Sequence, residues 1–584
     1  MKKIIFFILA AVGLLIYSNT LHSSFVFDDL AAIVQNPAIR HLDLASLWHA
    51  FNTRFVVGLT LAFNYALGKE NVMGYHLFNI FIHILNSFLV YELTCLSLQT
   101  PRMPKSSLHP KLIGFLTALV FLTHPIQTQA VTYIWQRATS LAAFFYLGSL
   151  VFYIRGRLQS SRKDYILCLL FTVLGMFTKE IVFTLPLMII LYEFIFLSSP
   201  KSLIGDQSGF DSRLKHSGMT VLAPLLLTLF IIPMTLAASD GQSTLKFLRP
   251  TAIPSNLFEI TRGIEKEKIP RKEYLLTEIN VFRTYLRLLF VPIKQNLDYD
   301  YPKSTSLVEP RTLASFLLLM GLLTAAFIFL KKEPLLAWGI FWFFLTLSVE
   351  ALISQKEFIF EHRLYLPMAG FSLFLVAAPA RLCGKNPRRL ALILMGAIAC
   401  YSILTYRRNF VWKDETSLWS DAIVHSPKKV RPYKNRGSAH QRSGRLDQAL
   451  LDFNKVIELE PNNPENADAY SNRASVYGTK GLLDKALLDC NRAIELGPNF
   501  AEAYNNRAII YKQKGDFDRA LGDYHKAIEL EPNFAIAYNN RGAVYGMKGF
   551  WDLALADFNK AIQLNPGFAS ARQNKAVAEG LKKK

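Results

Sequence analysis

Two adjacent carboxylates, Asp28 and Asp29 in "FVFDDLAAI", follow the apolar stretch 3–20 that opens the chain. Apolar flanks on both sides would lay this loop on a membrane surface. Partial desolvation there raises a carboxyl toward the range useful to a general base. The same two residues would equally serve to cap a helix beginning at Leu30. A second group is cationic: Arg137, Lys179, His362 and Arg363, the last two in "FEHRLYLP". Gathered at one membrane face, such side chains grip an anionic head group and stabilise a departing phosphate. Glu180 and Glu361 would orient them, and ordinary salt bridging at helix ends is the alternative. A third set lies in "GYHLFNIFIHILN", where His76, Asn79 and His83 recur at helical spacing. Polar groups in an apolar span must find partners inside the protein. The two imidazoles have no accompanying carboxylate, so interhelical bonding is expected ahead of a metal site.

The elements that would position these groups follow from the hydropathy pattern. The chain has 584 residues, 51% of them hydrophobic, unevenly distributed. Residues 1–406 are a succession of apolar stretches; residues 407–584 are polar, helix-forming and repetitive. The formal charge of +21 could point to nucleic acid, but Lys and Arg concentrate in short connections between apolar stretches, where they set topology. A nucleic-acid partner is therefore set aside. Cys95, Cys168, Cys383, Cys400 and Cys490 form no CxxC pair, so neither a disulfide framework nor a zinc site is indicated. Apolar stretches at 3–20, 75–99, 111–123, 139–154, 164–178, 180–198, 217–237, 312–330, 334–350, 364–381 and 389–406 give about eleven crossings.

With Lys2 and Lys3 in the cytoplasm, strict alternation keeps the basic clusters between spans inside. Asp28 and Asp29, the loop at 124–138, the segment 238–311, the loop at 351–363 and the whole C-terminal part then fall outside. The opening stretch resembles a signal peptide but lacks a clear cleavage site, and is read as the first span. The stretch 275–293 carries Arg283 and Arg287 and is read as interfacial or re-entrant.

The C-terminal part repeats. Tyr433, Tyr470, Tyr504 and Tyr538 align, as do Gly444, Gly481, Gly515 and Gly549, and Pro461, Pro498, Pro532 and Pro566. The spacing is that of tetratricopeptide helix pairs, with one insertion in "NNPENADAY". Four repeats occupy 430–568, a connecting helix 407–429 and a capping helix 569–584. Asn435, Asn472, Asn506, Asn540 and Asn574 recur at one register of successive first helices. Such a ladder could bind an extended acceptor peptide through its carboxamides, or bond to the neighbouring repeat.

"FVFDDLAAI", "GYHLFNIFIHILN", "HPIQTQAV" followed by Arg137, "TKEIVFTLPL", "EHRLYLP" and then the repeats resemble, in this order, bacterial relatives of the transmembrane and tetratricopeptide repeat O-mannosyltransferases. The resemblance covers nearly the whole chain and implies an all-α architecture: a polytopic membrane bundle of the C-type glycosyltransferase fold followed by an α-solenoid. It further implies a polyprenyl-phosphate-linked sugar as donor and a hydroxyl acceptor, protein Ser or Thr. The protein would be multi-pass in the inner membrane with its repeats periplasmic. Asp28 would be the base, Asp29 would orient the loop or the acceptor, and Arg137, Lys179, His362 and Arg363 would engage the lipid phosphate. Arg54 and Tyr365 would support the site. Gln127 and Gln129 stand where relatives carry His and Glu, removing one candidate metal ligand and one acid. No cofactor is required by this reading, and room is left for a divalent metal. A lipid or glycan acceptor, and a non-catalytic scaffold, are the alternatives.

Overall fold

The computed structural model describes residues 1–103, 109–197, 225–226, 228, 269–352, 357–383 and 386–582. Among them the chain is helical and contains no strand. Two compact units divide the described residues between Leu418 and Trp419.

In the first unit the apolar stretches become helices α1 (Lys2–Tyr17), α2 (Leu44–Phe51), α3 (Phe55–Gly68), α4 (Val72–Ser97), α5 (Pro110–Thr123), α6 (Thr128–Thr132), α7 (Arg137–Gln159), α8 (Arg162–Met176) and α9 (Leu185–Tyr192). Beyond these come α10 (Arg271–Phe290), α11 (Pro310–Lys332), α12 (Pro334–Leu352), α13 (Pro367–Cys383) and α14 (Pro387–Asn409), and the boundary falls within α15 (Glu415–His425). Seven described segments are long and apolar enough to cross a membrane: Lys2–Thr20, Val72–Ser97, Ile134–Gln159, Glu180–Leu197, Pro310–Lys332, Pro334–Ala351 and Pro387–Trp412; Pro110–Thr123 is a shorter apolar helix. The expected span at 217–237 lies almost wholly outside the described residues, as does the first part of the 238–311 segment. Helices α8 and α13, of 15 and 17 residues, stand where two further crossings are expected.

Local chemistry sets several helix starts. Asn71 Oδ1 accepts the N–H of Met73 to begin α4, and Ser161 Oγ accepts that of Asp164 to begin α8. The core is aromatic where α12 meets its neighbours: Trp338 packs on Tyr192, and Trp342 on Tyr146. Close approach of α12 to α13 depends on glycine. A Cβ on Gly339 would lie 2.8 Å from the carbonyl oxygen of Gly370 and 3.0 Å from Phe374 Cβ. Backbone cannot give way as a side chain can, so Gly339→Ala is expected to cost about 1–3 kcal/mol, read as a lower thermal-unfolding temperature in detergent.

The bundle has two chemically distinct ends. Lys2 at the start of α1 pairs with Glu92 late in α4 at 2.6 Å, and Arg157 late in α7 bonds Glu193 beyond α9. The opposite helix ends carry the acidic loop after α1, the segment before α7, Lys179 before α9 and Glu350 at the end of α12. Segregation of this kind is what alternating helix directions require.

The second unit holds the paired repeat helices α16 (Val430–Arg442) and α17 (Leu446–Leu459), α18 (Ala467–Thr479) and α19 (Leu483–Leu496), α20 (Ala501–Gln513) and α21 (Phe517–Leu530), and α22 (Ala535–Met547) and α23 (Trp551–Leu564). Helix α24 (Ala569–Lys582) follows them. The turn glycines Gly444, Gly481, Gly515 and Gly549 have φ of +71° to +80°, a region costly for other residues. Within each repeat one arginine clamps an aspartate of the second helix with two bonds: Arg436–Asp452, Arg473–Asp489, Arg507–Asp523 and Arg541–Asp557. These half-buried bidentate pairs fix the angle of each hairpin.

Candidate active site

The acidic pair divides its labour by burial. Asp29 is 1% exposed, and its two oxygens accept the N–H groups of Val26 at 3.1 Å and Trp135 at 2.7 Å. It therefore braces the loop against the segment preceding α7 rather than capping the turn at Leu30, with which its side chain makes no capping bond. Burial pushes its carboxyl up to about 8, against the pull of both N–H donors. Asp28 is only partly buried, and its Oδ2 accepts a 2.6 Å hydrogen bond from the hydroxyl of Tyr133. A protonated Asp29 removes one negative charge from beside Asp28 at neutral pH.

A stability consequence follows for Asp29. Its folded-state value of about 8 exceeds the ordinary 3.8, so the folded chain holds a proton the unfolded chain has released between those limits. Stability is unaffected by this group below about pH 4, falls as the pH climbs through the window, and has lost the full contribution above about pH 8. Thermal unfolding is expected to drop from pH 5 to pH 9, and Asp29→Asn to flatten that slope.

The second group assembles only in part. Lys179 lies 3.6 Å from Glu350, and Arg363 lies 3.2 Å from Glu350 and 3.9 Å from Glu278. Arg54 sits 3.7 Å from Glu180 at the more exposed edge, both side chains about one quarter exposed. His362 adjoins these residues, and burial first, then Lys179, Arg363 and Arg54, hold its imidazole well below the ordinary value. It is thus a neutral ring stacked on Phe360, not the cation expected from sequence. Its Nδ1 has no hydrogen-bond partner among the described residues.

Three other assignments change. Arg137 is fully buried at the start of α7, where it bonds Asn79 Oδ1 at 2.8 Å, the Thr60 carbonyl and the Tyr75 carbonyl, and lies over the Phe78 ring. Nε and both terminal nitrogens are used to tie α7 to α3 and α4, which leaves the guanidinium a lock rather than a phosphate ligand. Glu361 points away from the cations: it accepts from Gln295, from the N–H of Asn296 and from the Tyr299 hydroxyl. Tyr365 is buried among helices, donating to His83 Nδ1 at 2.7 Å and accepting from Asn86 at 3.0 Å. His83 Nε2 donates to the Leu122 carbonyl and His76 to that of Ser23, so the stripe in α4 bonds between elements as expected.

The segment 128–139 joins the two groups. Tyr133 and Trp135 bond the acids; Gln129 Oε1 accepts the N–H of His362 at 2.7 Å, and Thr139 accepts from Lys179 at 3.0 Å. Tyr133, Glu278 and Glu350 escape sequence reading because each sits in or beside an apolar helix and meets its partners only through the fold.

In the repeats, the carboxamides of Asn506, Asn540 and Asn574 donate to Ser471, Asn505 and Asn539 of the preceding first helix, at 2.9–3.1 Å. These three therefore staple neighbouring repeats with their N–H groups. Asn435 and Asn472 occupy the same register at half-buried positions.

A protein-family model, the tetratricopeptide repeat, matches residues 430–463, 467–500, 501–534 and 535–568. Over the longer chain, Protein O-mannosyl-transferase F38B6.6 of Caenorhabditis elegans is 25% identical across 480 residues, covering 78% of this chain and 62% of that protein. Protein O-mannosyl-transferase TMTC1 of Homo sapiens is 24% identical across 527 residues, covering 78% and 55%. Protein O-mannosyl-transferase TMTC3 of Homo sapiens is 24% identical across 477 residues, covering 76% and 50%. The chain spans about half to three fifths of the length of the curated relatives it matches. With long apolar helices preceding four tetratricopeptide repeats in one chain, it is similar over about three quarters of its length to these protein O-mannosyl-transferases.

Proposed function

We propose that the protein is a membrane glycosyltransferase that moves a sugar from a polyprenyl-phosphate donor to a hydroxyl, on Ser or Thr of a protein acceptor. The observation that carries this reading is a partly exposed carboxylate, Asp28, tied through residues 128–139 to the cluster of Lys179, Arg363 and Arg54. Asp28 takes the proton of the acceptor hydroxyl as its oxygen attacks the anomeric carbon. The bond from that carbon to the phosphate oxygen breaks, and its electron pair leaves with the polyprenyl phosphate. One such displacement inverts the anomeric carbon and forms no sugar–enzyme bond.

The cation cluster suits the leaving group. Three cations face Glu180, Glu350 and Glu278, and burial pushes Glu278, on α10 outside the seven spans, up to about 7. An apolar groove of about 430 Å³, lined by Leu187, Leu191, Phe341, Phe344, Leu345 and Ser348, ends two residues from Glu350 and is suited to an isoprenoid chain. In this reading the acidic end of the bundle and the repeats face away from the cytoplasm. The repeats dock the acceptor polypeptide, Asn435 and Asn472 offering carboxamides and the three stapled asparagines their oxygens.

The test is transfer of radiolabelled mannose from polyprenyl-phosphate mannose to a Ser/Thr-rich polypeptide, in membranes with and without the chain. Label recovered in protein supports the reading; label found only in lipid or glycan replaces the acceptor class; no chain-dependent transfer overturns it.

A further inference from the structure

Tyr133 belongs to none of the residue sets legible in the sequence, yet it touches Asp28 twice. Its hydroxyl donates to Asp28 Oδ2 at 2.6 Å and accepts the Asp28 backbone N–H at 3.2 Å. The ring is 2% exposed and stacks on Trp412, with centroids 5.4 Å apart and planes 18° from parallel. Trp412 stands just beyond α14, whose last residue, Asn409, bonds the Ile16 carbonyl and accepts from Thr132, the neighbour of Tyr133. On the other side the Phe27 ring lies 6.4 Å away, and Phe27 holds a φ of +53°. Left-handed backbone at a bulky residue costs about 1–3 kcal/mol and persists only where its surroundings impose it. The phenol therefore cannot turn from Asp28 without unstacking from Trp412, and Asp28 sits next to a strained residue that keeps its carboxylate aimed at the phenol.

We propose that Tyr133 is a positioning residue for the transfer reaction, its hydroxyl fixing Asp28 in one rotamer and favouring the ionised carboxylate that must receive the acceptor proton. This rests on the reading of Asp28 as the base. Among the groups that act on this carboxylate are Asp29 on its own loop and Tyr133 before α7, and Arg137 of α7 acts on Asp29. Burial, then Asp28 and Asp29, hold the phenol far above its ordinary value, so it stays a donor across the working range. A hydrogen bond to the charged form of an acid favours ionisation.

The experiment uses the full chain in membranes, polyprenyl-phosphate mannose and a Ser/Thr-rich peptide. Tyr133→Phe keeps the ring and its stacking while removing the hydroxyl. It is expected to lower kcat about 10–100-fold with little change in KM, and to move the acid limb of the pH profile up by about 1–2 pH units. In an Asp28→Asn background the same change should cost nothing more, because it acts through the carboxylate. A fall in transfer that merely tracks lost folded protein, with the acid limb unmoved, overturns the proposal. So does an equal loss in both backgrounds. Should Asp28→Asn itself retain full transfer, the base assignment fails, and the positioning role fails with it; an inactive Asp28→Asn beside an unshifted Tyr133→Phe removes the positioning role alone.

Discussion

Asp28→Asn is expected to cut sugar transfer by about 10²–10⁴-fold, the usual contribution of a general base, while leaving the folded protein intact. The amide is nearly the same shape, and its oxygen can still accept from Tyr133, so the 2.6 Å contact survives. What disappears is the ability to take a proton. Asp29→Asn gives the opposite pattern. Both Asp29 oxygens accept backbone N–H groups, so an amide turns one N–H against another and costs about 1–3 kcal/mol of stability, with transfer falling only as far as the loop loosens. Transfer rate and unfolding temperature, measured on both variants, separate the two acids. If Asp29→Asn abolished transfer at full stability and Asp28→Asn did not, the roles would be exchanged.

How much of this was legible follows from the range of each interaction. The repeats announce themselves because every hairpin restates the same glycine, alanine and proline positions, and folding adds the Arg–Asp clamps between residues sixteen apart. The acidic loop is visible because Asp28 and Asp29 interrupt an apolar run. Their division is not: burial of Asp29 depends on Val26 and on Trp135, which is 106 residues away. Arg137 looks like a solvent-facing cation because it stands at a helix start. Only the packed α3 and α4 show each of its nitrogens bonded, to Thr60, Tyr75 and Asn79. Glu361 and Arg363 are two residues apart on a short turn, which sends them to different networks, the first toward residues 295–299 and the second toward Glu350. Spacing along an irregular loop does not specify which way side chains point, whereas spacing along a helix does. Helical spacing makes the asparagine register readable but leaves open whether the carboxamides take a peptide or the neighbouring repeat, and three of the five donate to the preceding repeat.

Arg363→Met is expected to destabilise the bundle by about 3–5 kcal/mol, since removing one partner of a buried pair leaves its opposite charge uncompensated. Arg363 is 1% exposed and Glu350 and Glu278 are 4% exposed, so water cannot replace the guanidinium. Lost transfer in this variant alone would not distinguish a phosphate ligand from a structural strut. The double variant Arg363→Met with Glu278→Gln does. It replaces the carboxyl that faces Arg363 with a neutral amide and leaves Lys179 with Glu350 and Arg54 with Glu180, so Glu278 carries no charge that needs a partner and most of the stability is expected to return. Glu278 is the right carboxyl to neutralise because burial already brings it to about 7. If the cluster holds the donor phosphate, the refolded double variant still transfers sugar poorly, and its weakened step is donor binding, measurable as a raised KM for polyprenyl-phosphate mannose. Recovery of both stability and transfer would instead make Arg363 purely structural and shift the burden of phosphate binding to Lys179 and Arg54. Lys179→Met combined with Glu350→Gln applies the same logic to the neighbouring pair.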